Sequence, residues 1–220
     1  QELSILLLLL AGGAISSFSL AGKLSDLMGA SRLSALTFFI YAITFILIGF
    51  SPNIIMLGVA IFLFGFLHGA MDVAMNTWAS EVERGYKKSF MPFFHAMFSL
   101  GAGIGAASGA LMSGVGIDPI VHFIILIALL SPSYLWLKNG LVPPKKSAIK
   151  NTIKSGFKFP KGSLLVVALI AFSCALGEGA MADWTAVYMN QEINSSHSEA
   201  ALAYTLFSFF MVITRLSGSY

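Results

Sequence analysis

The sequence predicts an all-α membrane protein with seven transmembrane helices, and three observations support this fold class. The chain of 220 residues is 57% hydrophobic and 10% charged, with a mean hydropathy of +0.84, which departs from ordinary soluble domains. Seven apolar runs are each about long enough to cross ~30 Å of hydrocarbon at ~1.5 Å per residue. The 13 lysine and arginine residues occupy alternate connections between these runs, or the end of the last run.

Local boundary signals support the individual spans. The tripeptide Ser51-Pro52-Asn53 forms a turn before the third span, and Asp118-Pro119 places an N-cap residue before a favoured first helical residue. We predict spans at residues 3–21, 33–50, 54–77, 91–115, 119–137, 163–188 and 199–215.

The basic residues predict how the spans are oriented. Cytoplasmic loops of membrane proteins are enriched in lysine and arginine. We therefore expect the first, third and fifth connections inside the cell and Gln1 outside. The basic residues concerned are Lys23, Arg32, Arg84, Lys87, Lys88, the lysines from Lys138 to Lys161, and Arg215 at the end of the last span.

The fifth connection, residues 138–162, is predicted to be a cytoplasmic linker. Pro143-Pro144 breaks any helix there. Farther along, Ile149, Ile153 and Phe157 recur at every fourth residue and alternate with lysines. A short helix lying on the inner membrane surface fits this pattern, and a solvated basic linker fits it equally well.

Three polar residues interrupt the apolar third span. His68, Asp72 and Asn76 are four residues apart, which places them on one helical face. A carboxylate near a bilayer centre costs about 2.5–3.5 kcal/mol on insertion scales, so protein, water or a ligand must compensate it. We expect Asp72 to serve solute binding or proton coupling, and a purely structural acid is the alternative. His95, at similar depth in the fourth span, is a candidate partner, although either histidine could be an ordinary interior residue.

The sixth span carries a second polar group. Glu178 and Asp183 are five residues apart, roughly 140° around a helix, and therefore point in different directions. Trp184 is either a ligand-stacking residue or an interfacial anchor. Acids and Asn76 would bind hydroxyl groups, and Trp184 or Tyr188 would stack on a sugar face, so a carbohydrate suits this collection.

Two further features bear on packing and cofactors. Gly101, Gly105 and Gly109 recur every fourth residue in the fourth span, which predicts a close-packing helix face. Cys174 is the single cysteine, which excludes a disulfide framework, and zinc-ligand spacings are absent from the sequence. We therefore expect no metal or cofactor.

Residues 22–32, with the sequence GKLSDLMGASR, resemble the loop signature G-x-L-x-D-x-x-G-x-x-R of the major facilitator superfamily. In that family the loop follows the second helix and braces the cytoplasmic side of the transporter. Glycine would permit a tight turn, and the aspartate would accept hydrogen bonds from a neighbouring helix N-terminus. The resemblance implies a cytoplasmic gate motif made of Gly22, Asp26, Gly29 and Arg32.

A weak internal repeat accompanies this motif. Lys23-Leu24-Ser25 follows the first span, and Arg215-Leu216-Ser217 ends the seventh. Both tripeptides lie at the cytoplasmic end of a span, as repeats related by an axis along the membrane normal would. This interpretation treats Arg215 as part of a loop signature.

The resemblance also implies a domain organisation. The seven spans would correspond to the family's helices two to eight, so that the chain is a fragment of a longer protein. Residues 1–137 would form most of the N-terminal six-helix half, 138–162 the linker, and 163–220 the start of the C-terminal half. The third and sixth spans would then line the central cavity.

Within the superfamily, Asp72-Val73-Ala74-Met75-Asn76 resembles the acid-x-Ala-x-Asn pattern of the fucose-permease-like branch of bacterial sugar and proton symporters. The resemblance implies a monomeric secondary transporter in the bacterial plasma (inner) membrane. It would move a small polar solute such as a sugar by alternating access, coupled to protons and without nucleic-acid partners. Shared family membership does not carry the substrate with it.

Two other functions are compatible with parts of the sequence. Seven spans with an outside N-terminus also describe a receptor-like protein, although no span interior contains a lysine for a retinal Schiff base. An intramembrane hydrolase would need a catalytic pair, and Asp72 with Glu178 is the only acid pair deep in the spans. Neither acid lies in a protease-like motif, so we predict that the protein is not an enzyme.

Overall fold

The structure, a computed structural model, describes residues 2–139 and 159–218, and these residues form seven α-helices and no strand. The predicted all-α fold class is therefore confirmed. The helices are α1 (Glu2–Met28), α2 (Ala30–Gly49), α3 (Ile54–Tyr86), α4 (Met91–Gly114), α5 (Pro119–Asn139), α6 (Ser163–Gln191) and α7 (His197–Ser217).

Six of the described helices are long and apolar enough to cross a membrane, and the apolar part of α5, Pro119–Ser133, is shorter. The helices extend beyond several predicted spans. The helix α1 continues to Met28 instead of residue 21, and α3 continues to Tyr86 instead of residue 77. Hydropathy marks only the segment that fits the hydrocarbon, whereas a helix of 33 residues is about 50 Å long at ~1.5 Å per residue.

The connection between α1 and α2 is a single residue, Gly29. Its φ of 92° lies in the region that favours glycine, and its N–H donates to the carbonyl of Ser25 at 2.9 Å. Gly22, by contrast, is helical, and an added Cβ there would meet no atom within 4 Å. The prediction of a turn is therefore correct at Gly29 and wrong at Gly22, because α1 continues through the polar residues that follow its apolar run.

The helices α1 and α3 approach each other backbone to backbone. A Cβ added to Gly13, Gly65 or Gly69 would lie 2.2, 2.1 or 2.6 Å from a backbone carbonyl oxygen of the facing helix. Small buried residues continue this contact, and Ala21 packs with Ala70 beside it. Small residues at such an interface replace the hydrophobic driving force that is missing between helices in lipid.

The described helices associate in two groups. The helices α1, α2, α3 and α5 pack together, whereas α4 packs along α7 and α6 packs on α7; α4 also contacts α3 and α5. At one end of the α4–α7 contact, the Ser198 hydroxyl donates to the carbonyl of Ala110 at 2.9 Å. Because chain order alternates the helix direction, this end lies on the side opposite the basic connections.

The close approach of α4 to α7 occurs at Gly103, where an added Cβ would lie 3.2 Å from the Ser208 Cβ. Gly101 and Gly105 have no atom within 4 Å of an added Cβ among the described residues, and Gly109 meets only the His122 ring at 3.8 Å. Gly103 is two residues from its neighbours in the predicted stripe, roughly 200° around the helix. The contact in the described part of the chain therefore uses the face opposite to the predicted one.

Glu83 fixes the start of α4. One carboxylate oxygen, Oε1, accepts hydrogen bonds from the backbone N–H groups of Phe90 at 2.7 Å and Met91 at 2.8 Å. The chain reverses through Lys87, whose φ of 53° is left-handed. A carboxylate satisfies the otherwise unpaired N–H groups of a helix start and complements the helix dipole. Glu83 lies beyond the predicted span 54–77. The two backbone hydrogen bonds, chiefly the one from Met91, hold its pKa below the ordinary value.

The predicted linker lies mostly outside the described residues. This holds for the expected surface helix with Ile149, Ile153 and Phe157. The division of the chain into two halves therefore stays a prediction.

Candidate functional site

A salt bridge between α6 and α7 is the only ion pair among the described residues. One terminal nitrogen of Arg215, Nη2, donates to both carboxylate oxygens of Glu178, at 2.8 Å for Oε1 and 2.7 Å for Oε2. The Arg215 side chain is 19% exposed and that of Glu178 is 33% exposed. Charge-assisted hydrogen bonds of this length are about twice as strong as those between neutral groups.

The same guanidinium also binds α4. The second terminal nitrogen of Arg215, Nη1, donates to the backbone carbonyl of His95 at 3.0 Å and to the hydroxyl of Ser99. Ser99 is buried. One arginine therefore connects three helices, with one nitrogen held by α4 and the other by the carboxylate of α6.

The sequence pattern predicted a role for Glu178 but not for Arg215, its ion-pair partner, or for Ser99, which accepts from Arg215. A signal for Arg215 was available, because it is the only lysine or arginine within the seven predicted spans. An acid buried in a membrane protein requires a compensating group, and a basic residue within a span is the strongest candidate. Ser99 carried no comparable signal, since serine is common on packed helix faces.

Asp72 and Asn76, which their spacing places on one face of α3, are hydrogen-bonded to each other. The side-chain amide of Asn76 donates to Oδ1 of Asp72 and to the Asp72 backbone carbonyl, each at 2.9 Å. Asp72 is exposed and Asn76 half-buried. The carboxylate therefore has a neutral partner on its own helix and no counter-charge among the described residues.

His68 points to a different environment from Asp72. Its ring lies 5.8 Å from the Tyr41 ring centroid and 6.4 Å from that of Phe64. Tyr41 and Phe64 are themselves 4.6 Å apart. His68 thus joins an aromatic cluster between α2 and α3.

His95 does not form the predicted partnership with Asp72. Its side chain is exposed on α4, and its contribution to the site is the backbone carbonyl that accepts from Arg215. The two residues start from similar depths on α3 and α4, but depth alone does not bring side chains together.

Asp183 and Trp184 lie farther along α6 from Glu178. Both are exposed, and no contact joins them to Asp72 or Asn76 within the described residues. Tyr204 of α7 is within electrostatic range of Glu178, Asp183 and Arg215. The structure thus brings Glu178 together with α4 and α7, while Asp183, Trp184 and Tyr188 extend from the same helix.

The residues of the predicted gate motif lie at the end of α1. Asp26 and Arg32 are both exposed. The hydrogen bonds that we predicted from a helix N-terminus to Asp26 are not formed by residues within 2–139 or 159–218. Ser25 beside it is buried, and its hydroxyl lacks a partner there.

A pocket in the described structure is apolar. A cavity of about 230 Å³ lies between α2 and α5. Its lining residues are Phe38, Tyr41, Ala42, Phe45, Phe123, Leu126, Ile127 and Leu130. None of the acidic site residues line it, and no cluster of three metal-ligating side chains occurs among the described residues.

The sequence is similar to a large family of membrane proteins along its whole length. The family profile described as Major Facilitator Superfamily matches residues 1–220. The uncharacterized transporter y4wD of Sinorhizobium fredii is 39% identical over 97% of this chain and 56% of its own length.

Two further relatives show the same coverage. An uncharacterized MFS-type transporter of Yersinia pestis is 28% identical over 99% of this chain and 56% of its own length. The membrane protein MosC of Rhizobium meliloti is 29% identical over 99% of this chain and 52% of its own length. The chain thus spans about half the length of the curated relatives it matches. No solved structure matches it significantly.

Proposed function

Because this chain belongs to the Major Facilitator Superfamily, we propose that it is part of a secondary active transporter for a small polar solute. The family and the transporter-named relatives indicate a multi-pass bacterial membrane protein and not an enzyme. They also remove the basis for the receptor-like alternative. Since the chain spans about half of its relatives, transport is proposed for the whole protein of which these helices are a part.

The observation that carries this proposal is the Glu178–Arg215 ion pair between α6 and α7, whose arginine also binds α4. Charged side chains within membrane spans are expensive, and they commonly face a cavity and mark ion or solute pathways. A purely structural role would be served as well by an apolar contact of similar size. A site that retains an acid, a base and a buried hydroxyl is suited to polar solutes and to proton movement.

We infer that transport is coupled to protons through Asp72. In the described part of the chain its carboxylate accepts a hydrogen bond from the neutral amide of Asn76 and is paired with no cation. Protonation would remove an uncompensated charge from the middle of α3 and allow the helix to move between states. His95 stays a weaker proposal, because its imidazole does not contact Asp72, and the aromatic packing of His68 favours a structural role.

A sugar is the proposed type of solute. Asp72, Asn76 and Asp183 offer hydrogen-bonding groups for hydroxyls, and Trp184 offers an aromatic face for a sugar ring. We also propose that the chain belongs to the fucose-permease-like branch, which the acid-x-Ala-x-Asn pattern supports. The proposal also includes the division of the chain into two halves and a monomeric state. It includes a cytoplasmic gate made of Gly22, Asp26, Gly29 and Arg32.

Uptake into liposomes tests proton coupling. We expect the reconstituted full-length protein to accumulate at least one of radiolabelled fucose, glucose or mannitol when the outside is more acidic, and Asp72→Asn to abolish the pH-dependent part. Asp118→Asn is the matched control, because Asp118 caps α5 through a bond to the Ile120 N–H and asparagine caps equally well. Unchanged pH-dependent accumulation in Asp72→Asn would overturn the assignment.

A further inference from the structure

The geometry of Arg215 points to the chemical class of the solute, and this inference rests on the proposed function. We propose that Arg215 is a carboxylate-binding residue: a solute carrying a carboxylate replaces the Glu178 carboxylate when Glu178 becomes protonated. A sugar acid is one such solute. The proposal has three steps, which concern the position of the guanidinium, the release of Glu178 and the selection of the anion.

The guanidinium stays in place without Glu178. Its Nη1 is held by the His95 carbonyl and by the Ser99 hydroxyl, and both groups belong to α4. Only Nη2 faces the Glu178 carboxylate. Loss of that carboxylate would therefore leave an oriented N–H donor with a positive charge and no anion.

Arg215 is what holds the Glu178 carboxylate in the described structure. Its carboxylate has no other hydrogen-bond partner among the described residues. Among the described helices, the helix α6 that carries it packs chiefly on α7. Protonation of Glu178 would thus free α6 from its one charged attachment to α7 and α4.

The charges around the pair favour an anion once Glu178 is neutral. Tyr204 on α7 lies within electrostatic range of Glu178 and Asp183, and His95 on α4 contributes its backbone carbonyl. Asp183 lies five residues from Glu178, roughly 140° around α6, so it cannot take the same position without a large movement. Arg215 is only 19% exposed, and a cation largely removed from water requires an anionic partner.

The site already holds an anion of defined size. Both oxygens of one carboxylate lie within 2.8 Å of Nη2, and a solute carboxylate has the same planar geometry. An uncharged sugar could not restore the charge balance, and a larger tetrahedral anion would not match the planar group. One proton on Glu178 and one solute carboxylate would enter the site together, so the pair would retain its net charge.

Thermal unfolding of the purified full-length protein tests the proposal. Glu178→Gln imitates the protonated acid and leaves Arg215 free, whereas Arg215→Gln removes the binding residue. We expect sodium acetate or sodium glucuronate to raise the unfolding midpoint of Glu178→Gln by roughly 2–4 °C above sodium chloride of equal ionic strength. Glucose should have no such effect, and Arg215→Gln should respond equally to all the salts.

The wild-type protein provides a second measurement that does not depend on the folding of a variant. Wild-type liposomes should take up radiolabelled glucuronate when the outside is more acidic, because the solute carboxylate and a proton enter the site together. Equal effects of acetate and chloride in Glu178→Gln, an equal acetate effect in Arg215→Gln, or no uptake of glucuronate by the wild-type protein would each overturn the proposal. If sugar uptake still follows the proton gradient, the proposed transport function stands without it.

Discussion

Arg215 directs its two terminal nitrogens at different helices, and this division determines what its loss would do. Removal of one partner from a fully buried ion pair costs about 3–5 kcal/mol, because the remaining charge is uncompensated. Glu178 and Arg215 are 33% and 19% exposed, so solvent screening lowers that cost. The pair should therefore stabilise the position of α6 by less than a fully buried ion pair would, which leaves α6 able to move.

Glu178→Ala should lower the stability of the full-length protein by about 1–2 kcal/mol, which is below the value for a fully buried pair because both side chains meet solvent. Asp183→Ala, on the same helix but without a salt bridge in the described structure, should change it by less than about 0.5 kcal/mol. The unfolding midpoint in detergent measures both. Equal losses in the two variants would contradict the assignment of a specific ion pair.

Glu83 provides a prediction that depends on pH. Hydrogen bonds from Met91 and Phe90 lower its pKa in the folded state, so the stability that it contributes is present above the unfolded pKa and is lost as pH falls through the folded pKa. Glu83→Gln should therefore be less stable than wild type at neutral pH, and the difference should vanish in acid. Glu81→Gln is the charge-matched control, and a difference that persists in acid would refute this capping role.

The sequence predicts some contacts of the site residues and not others. Spacing along one helix correctly placed Asn76 against Asp72, because residues four apart are neighbours on a helix. Contacts between helices depend on how each helix is rotated, which one sequence does not specify. For this reason the partner of Glu178 was missed and the pairing of His95 with Asp72 was wrong.

At the scale of the elements, the helices α1 and α3 approach each other through glycines. Gly65→Ala should destabilise the protein by several kcal/mol, because the added Cβ would lie 2.1 Å from the Leu10 carbonyl oxygen and backbone cannot move aside as a side chain does. Gly101→Ala is the matched control, since it adds the same methyl group in open space on α4. The thermal unfolding midpoint of Gly65→Ala should lie clearly below that of Gly101→Ala. Similar midpoints would contradict the observed approach of α1 to α3.

Hydropathy predicted all seven helices because a membrane span must be apolar over its whole length. It could not predict that α1 and α3 continue past the hydrocarbon, where polar residues remain helical. It could not select the packing face of α4 either. The stripe of Gly101, Gly105 and Gly109 is a real periodicity, but in the described structure a neighbour lies against Gly103.

At the scale of the whole molecule, α4 connects the two groups of helices, because it packs along α7 and also contacts α3 and α5. Ser198 with Ala110 holds one end of the α4–α7 contact, and Arg215 with Ser99 holds the other. A change in the charge of Glu178 would act at one end only. The contact between α4 and α7 is therefore suited to couple the ionisation of Glu178 to a movement between the two groups of helices, as alternating access requires.

The most direct test of the account is whether a solute gradient alone moves protons. Liposomes that contain the full-length protein and an internal pH dye would receive fucose, glucose, mannitol or glucuronate outside, with equal pH on both sides. If transport is coupled to protons through Asp72, at least one solute acidifies the interior of wild-type liposomes, and Asp72→Asn liposomes stay unchanged. An unchanged interior for wild type with every solute, or equal acidification with Asp72→Asn, would contradict it.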